Sequence, residues 1–383
     1  MDQRLSIVYV VTGLEGGGAE MMLYHLATHL NPQQFRVTVV SLIEPGTLGE
    51  KFQAAGVRVH SIGMKRGGLP TLPMFWRLVQ LLRQLQPDLL QGWMYHGNLA
   101  AQIARLFLFQ GTIPVVWSIH YSISCLATDK PITRSLIQWG RNLSSFPARI
   151  MFVSTLSQQQ HIELGYQAEK CLTIPNGFNV DVFTPNLAAR KTVRAELGLV
   201  ENAIIIGSFA RYNPMKDHPN FLRAAAQLHQ HHPDVHFILA GEDVDRQNQT
   251  LRDLITELNL TDRVHLLGER KDISSLMAGL DIVTSASAYG EAFPMIIGEA
   301  MSCGVPCIVT DVGDSAWIVG DTGHVVPPQD PVALAAAWQQ AIELEPEQRN
   351  SLSIAARQRI IDNFSLAAII PQYESLYQSL CVV

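Results

Sequence analysis

Short apolar runs of strand length recur along this chain, and between them lie segments whose apolar residues return every three or four positions. A chain that alternates these two periods builds parallel strands joined by crossover helices, so its sheets must be covered by helices on both faces. In the first half the apolar runs fall near residues 5–12, 36–43, 57–62, 88–94, 114–120 and 149–154, separated by helical stretches such as 19–30 and 71–86. The pattern restarts after "IPNGFNVDVFTPN" (174–186), a turn-rich stretch, with further runs near 203–209, 235–240, 264–268, 281–285 and 306–310. The expected architecture is α/β, with two doubly wound Rossmann-like domains, 1–180 and 181–364, facing each other across a deep cleft. Residues 365–383 are expected to form an amphipathic terminal helix that packs back toward the N-terminal domain. Ligands of such sheets bind beyond the carboxyl ends of the strands, so function is sought there.

A length of 383 residues and 47% hydrophobic content are ample for two packed cores. The net charge of −6 conceals an asymmetry: residues 1–180 hold 14 Lys and Arg against 9 Asp and Glu, whereas 181–383 hold 14 against 25. The halves therefore face different partners, and no nucleic-acid partner is expected. Cysteines 125, 171, 303, 307 and 381 form no CxxC, and 303 and 307 lack a second ligand pair at zinc spacing. They read as reduced thiols of a cytoplasmic protein without a metal site. The start, "MDQRLSIVYVVTG", is not a signal peptide, and no apolar run approaches a membrane-spanning length.

The most informative stretch is "EAFPMIIGEAMSCGVP" (291–306), which sets Glu291 and Glu299 eight positions apart in almost uncharged surroundings. Pro294 suits the first position of a helix, Gly304 its end, and Pro306 prevents continuation, so a helix from Pro294 to Cys303 is expected. Glu291 then lies in the loop before the helix and Glu299 within it. Free N–H groups and the positive end of the dipole make a helix start an anion site, and a diphosphate could sit between the two acids. A solvated loop acid and a surface helix acid are the competing reading, which the apolar Met295, Ile296, Ile297 and Met301 oppose. Spacing alone leaves both open.

Further residues fall at expected strand ends. "TGLEGGGAEMM" places Gly16, Gly17 and Gly18 before a helix, either for close approach of a phosphate or as a flexible turn; the spacing is not that of a dinucleotide fingerprint. His96 and His120 both follow first-half strands, and His120 is the better placed for the cleft. In "GSFARYNPMKDHPNF", Arg211 and Lys216 flank a turn and can clamp a phosphate, the alternative being a solvated basic loop. Asp243 and Asp245 form a DxD with no further ligands nearby and read as a solvated loop. Finally, Lys65, Arg66, Arg77 and Arg83 accompany many apolar residues in 63–87, either as a basic amphipathic surface for an anionic membrane or as a core-facing helix with snorkelling cations.

Taken in order, "GGGAE", "IPNGFNVDVF", the Arg211 and Lys216 pair, "EAFPMIIGEA" and "GVPCIVTDVG" resemble the group 1 family of retaining nucleotide-sugar glycosyltransferases with the GT-B fold, over nearly the whole chain. The resemblance implies that Glu299 holds the nucleotide ribose, that Glu291 meets the donor sugar, and that Arg211 and Lys216 bind the diphosphate. It also implies donor contacts at Gly17, Gly18, Phe293 and Pro294, and a catalytic set of Glu291, His120, Arg211 and Lys216. The chain departs from the family at Pro294, where a glycine is common, and at "GDSAWI" (313–318), so the donor sugar stays unassigned. The reaction implied is metal-free glycosyl transfer from a nucleoside-diphosphate sugar to a hydroxyl, with retention, by front-face displacement. The expected acceptor is a lipid-linked saccharide of envelope polysaccharide or glycolipid synthesis, met on the cytosolic face of an anionic membrane. A dehydrogenase lacks its fingerprint here; a nucleotide-sugar epimerase of the same fold and a non-catalytic sugar-nucleotide binding protein remain as alternatives.

Overall fold

The computed structural model describes residues 3–68, 71–108, 112–123 and 130–381. Two compact units emerge, Met1–Gly177 together with Ile369–Val383, and Phe178–Ala368.

In the first unit the strands are β1 (Leu5–Val11), β2 (Phe35–Ile43), β3 (Arg58–Met64), β4 (Leu89–Trp93), β5 (Val115–Ile119), β6 (Arg149–Phe152) and β7 (Cys171–Thr173). The helices are α1 (Gly18–His29), α2 (Gly46–Ala54), α3 (Leu72–Leu85), α4 (Met94–Arg105), α5 (Pro131–Leu143) and α6 (Thr155–Glu163). The strands pair in parallel in the order β3-β2-β1-β4-β5-β6-β7. Apart from Ser6, β1 is apolar along its length because both of its faces are covered. Val8 and Val10 face a core built with Leu78, Val79 and Leu82 of α3, while Tyr9 points the other way.

The second unit contains α7 (Leu187–Glu196), β8 (Ile205–Phe209), α8 (His218–His229), β9 (His236–Ala240), α9 (Gln249–Glu257), β10 (Val264–Leu266), α10 (Ile273–Ala278) and β11 (Ile282–Ser285). It continues with α11 (Met295–Ser302), β12 (Cys307–Thr310), α12 (Ser315–Val319), β13 (His324–Val326), α13 (Pro331–Ile342) and α14 (Pro346–Phe364). Its parallel sheet has the order β10-β9-β8-β11-β12-β13. The order reverses between β1 and β4 in one sheet and between β8 and β11 in the other, and such switch points open a crevice at the strand ends. A last helix, α15 (Leu366–Cys381), runs from the second unit into the first. Its buried Tyr377 donates to Gln91 Oε1 at 2.5 Å and so accepts from the Tyr9 hydroxyl at 2.9 Å, tying the chain's end to β1 and β4.

Several local expectations need correction. The edge strands β7 and β13 match none of the apolar runs, three residues each being too short to show a period of their own. α11 starts at Met295, with Pro294 as its extended N-cap (φ −71, ψ 109), because the proline ring favours φ near −65° without requiring a helical ψ. Gly304 follows the helix at φ +72, as an αL terminator requires. His96 sits in the first turn of α4, since β4 stops at Trp93. In the 63–87 stretch, whose residues 69–70 lie outside the described set, α3 faces inward: Leu78, Val79 and Leu82 are buried, and Met74, Phe75, Leu81 and Leu85 pack on the core. Of its cations, Arg66 pairs with Glu15 at 2.9 Å and Arg83 donates to the Phe107 carbonyl at 2.8 Å. Cys125 also lies outside the described residues, and Cys171, Cys303, Cys307 and Cys381 are free thiols.

Candidate active site

The switch point between β8 and β11 gathers the charged residues of the second unit. Beyond β8 the chain continues the ladder, Ala210 N–H donating to Ala240 O and Tyr212 N–H to Glu242 O, which carries Arg211 to the sheet's edge as an exposed side chain. Asn213 then caps a short 3-10 turn, Pro214–Lys216, through Met215 N–H. Lys216 leads into α8, whose N-cap is Asp217.

The loop after β11 comes up beside this turn, and Ala288 N–H donates to Met215 O at 2.8 Å. Glu291 is buried in that loop, where Oε1 accepts from the ammonium of Lys216 and from Ser287 Oγ at 2.6 Å. A buried carboxylate needs such partners, and a pair of donors on one oxygen leaves Oε2 available. The loop is held from behind by Thr310 of β12, whose Oγ1 lies 2.6 Å from Ser287 O and 3.2 Å from Ser285 O. It is also held by Gly313, where a Cβ would stand 2.5 Å from the Glu291 carbonyl and φ is +63. The "GDSAWI" turn is thus built to let two backbones touch. Ser287 carried no motif in the sequence, and although Thr310 and Gly313 lie in "GVPCIVTDVG", only the fold shows that all three shape Glu291.

α11 follows with no side chain capping its start, in contrast to α7, α8, α9 and α13 of the same unit, which begin on Asn186, Asp217, Asn248 and Asp330. Uncapped N–H groups at the end of a sheet are the ingredients of an anion site. Along the helix, Glu299 is half-buried, its carboxylate makes no hydrogen bond to a described residue, and burial pushes it up to about 7. The Phe293 side chain is committed elsewhere, packing among Phe178, Trp317 and Phe364 with ring centroids 5.8–6.0 Å away, so only its backbone is available to a ligand. Lys216 is likewise engaged by Glu291, which leaves Arg211 as the open cation of the anticipated clamp. Asp245 Oδ1 accepts from Gln247 N–H inside its own loop, and Asp243 adopts φ +58 there.

Gly17, Gly18 and His120 belong to the first unit. Gly17 is the N-cap of α1, and the Glu20 carboxylate turns back toward it, Oε2 standing 2.5 Å from where a Cβ would lie at Gly17. Burial raises the Glu20 carboxyl above its usual range. His120, just past β5, packs tilted against Trp93 with ring centroids 4.4 Å apart, and Trp93 in turn donates to Ala19 O at 3.0 Å. Its Nε2 lies 2.8 Å from Ser118 Oγ, its Nδ1 has no partner among the described residues, and burial lowers it to about 3, so the ring is neutral at physiological pH.

Comparison with known proteins bears on both units. A model described as "Glycosyl transferases group 1" matches residues 189–359, and one described as "Glycosyltransferase Family 4" matches residues 16–182. The chain belongs to the group 1 glycosyltransferases. Among solved structures, Anabaena Alr3699/HepE in complex with UDP superposes with a TM-score of 0.85 at 25% identity, over 98% of this chain and 100% of that one. WaaG, a glycosyltransferase involved in lipopolysaccharide biosynthesis, shares the fold with a TM-score of 0.71 at 16% identity over 97% and 99%. The N-acetyl-alpha-D-glucosaminyl L-malate synthase of Bacillus anthracis is 27% identical over 69% of this chain and 68% of its own length. The UDP-Gal:alpha-D-GlcNAc-diphosphoundecaprenol alpha-1,3-galactosyltransferase of Escherichia coli is 24% identical over 80% and 79%. As a glycosyltransferase of the GT-B fold, the chain has its switch-point loops where a transferred sugar and its leaving group would be handled.

Proposed function

We propose that this glycosyltransferase uses a nucleoside-diphosphate sugar, retains the anomeric configuration and needs no metal. The observation that carries the reading is the geometry around α11: a buried carboxylate with one oxygen engaged and one open at the helix mouth, an uncapped helix start, and an unpartnered carboxylate within the helix. In this reading Glu291 Oε2 accepts from a donor-sugar hydroxyl and Glu299 from the two ribose hydroxyls. The N–H groups of α11, with Arg211 and Lys216, neutralise the departing diphosphate, supplying in fixed positive charge what a metal supplies elsewhere. No side chain is required as a nucleophile, because the leaving oxygen can take the acceptor's proton on the same face. The complexes of Anabaena HepE with UDP and with UDP-glucose favour, by likeness, a sugar nucleotide over the nicotinamide cofactor of a dehydrogenase, while an epimerase, which shares the sugar nucleotide, would turn over the donor with no acceptor present. Titration with UDP-, GDP- and ADP-sugars in the presence of EDTA tests the donor class. Binding abolished by chelator and restored by Mn²⁺ would overturn the metal-free reading and return attention to Asp243 and Asp245. The anomeric configuration of the product, read by NMR, tests retention.

A lipid-linked acceptor of envelope polysaccharide or glycolipid synthesis, met at the cytosolic membrane face, is part of the same proposal. No described helix is long and apolar enough to cross a membrane. Yet Leu72 and Trp76 of α3, Ile103 of α4 with Leu106 at its C-cap, and Ile132 and Trp139 of α5 are exposed on neighbouring helices, the last of which also carries Arg134 and Arg141. This mixture of apolar tips and cations suits an anionic bilayer surface, and it replaces the inward-facing residues of 63–87 as the candidate contact. Co-sedimentation with phosphatidylglycerol vesicles, weakened by salt and by Trp139→Ala with Arg134→Gln and Arg141→Gln, is the expected outcome; equal binding to neutral vesicles would remove membrane charge from the account.

A further inference from the structure

The two donors on Glu291 Oε1 are not equivalent. Lys216 is a cation on a flexible four-carbon stem, and it leads from the loop after β8 toward α8. Ser287 is neutral, shares the loop of Glu291 and is fixed from three sides. Its carbonyl lies 2.6 Å from Thr310 Oγ1, its neighbour Ala288 donates to Met215 O at 2.8 Å, and its side chain is 2% exposed. A hydroxyl held this firmly has little freedom except to donate to the carboxylate 2.6 Å away. With both donors on Oε1, the plane of the carboxylate is set and Oε2 keeps its lone pairs unused.

We infer that Ser287 is a positioning residue for Glu291, supplying the bond that persists when Lys216 is drawn to the diphosphate of the donor. The inference rests on the sugar-nucleotide reading above. An arriving diphosphate offers Lys216 a second anion, and any share of the ammonium it takes is removed from Glu291. Without Ser287 the buried carboxylate would then lose its only other described partner and rotate, misplacing Oε2 from the sugar hydroxyl. With Ser287 the exchange costs Glu291 one bond but not its orientation. The consequence is specific: Ser287 contributes to recognition of the sugar and not of the nucleotide.

Wild type, Ser287→Ala and Ser287→Thr should be titrated calorimetrically with the matched pairs UDP and UDP-glucose, GDP and GDP-mannose, and ADP and ADP-glucose, each protein's melting temperature being recorded. Ser287→Ala should bind the preferred sugar nucleotide about tenfold more weakly, the size of one lost hydrogen bond. Its affinity for the matching diphosphate should be unchanged, and Ser287→Thr, which keeps the hydroxyl, should recover most of the loss. Parallel losses for nucleotide and sugar nucleotide would overturn the inference by showing a merely structural role, as would no loss for either. A wild type that binds none of the pairs would overturn the donor reading itself, a result distinct from either of these.

Discussion

Glu299 shows how much one side chain's surroundings can set. The apolar α11 strips water from its carboxyl and gives no hydrogen bond in return, so burial raises it to about 7. Because the folded state holds this proton more tightly than the unfolded chain, ionisation costs stability progressively as pH rises from about 4.5 to about 7 and fully above that. Glu299→Gln should therefore match wild type near pH 4.5 and be more stable by about 1–3 kcal/mol at pH 8, measured by urea unfolding at both values. A constant gap across pH would contradict the assignment. The same variant should bind nucleotide more weakly at pH 8, since an amide is uncharged and offers one accepting oxygen to the two ribose hydroxyls where a carboxylate offers two. The two cations should separate by burial. Arg211 is exposed and unpaired among described residues, so Arg211→Ala should slow transfer with an unchanged melting temperature. Lys216→Met should do both, because it also strips a buried carboxylate of its charge partner, at about 1–3 kcal/mol of stability. Glu291 and Glu299 stand out in the sequence because charge is rare around them, and Arg211 and Lys216 because they flank a turn; Ser287 does not, because a serine in a loop is ordinary until its partner is known.

At the scale of elements, two glycines do different work beside α11. Gly298 lies inside the helix against Phe178, where a Cβ would overlap the ring. Gly298→Ala should cost about 1–3 kcal/mol by overpacking, read as a lowered melting temperature, despite alanine's better helix propensity. Gly313 instead meets the Glu291 carbonyl, at φ +63. Gly313→Ala should move the Glu291 loop and depress turnover by more than its loss of stability explains, which parallel kinetics and thermal melts would separate. Strand positions in the long apolar runs were readable because a strand buried on both faces must be apolar along its length. β7 and β13, with three residues each, were not, since pairing with a neighbour rather than their own pattern makes them strands. The inward face of α3 was ambiguous for a related reason: an apolar stripe announces burial without saying against what.

For the whole molecule, the last helix is part of the first unit's core. Tyr373 and Tyr377 are fully buried, and the Tyr9, Tyr377 and Gln91 chain closes a polar circuit beneath β1 and β4. Tyr377→Phe should cost about 1–3 kcal/mol by stranding Gln91 and Tyr9, and removal of residues 369–383 should cost more. Hydrogen exchange would localise the damage, with β1 and β2 losing protection while β8 and β9 keep theirs; uniform loss would refute this division.

Alternating periods, a restart near residue 180 and a charged pair in an apolar stretch determined the class of fold, the repetition of the doubly wound pattern and the stretch where chemistry would lie. These are local properties, carried by spacing along the chain. What only tertiary structure decided was partnership: that Lys216 is held by Glu291, that Ser287 and Gly313 shape the same loop, that Phe293 turns into packing, and that Tyr377 of the expected terminal helix meets Tyr9 and Gln91. The physical reason is that hydrogen bonds, ion pairs and close contacts depend on distances between residues up to 368 positions apart, which no local period encodes.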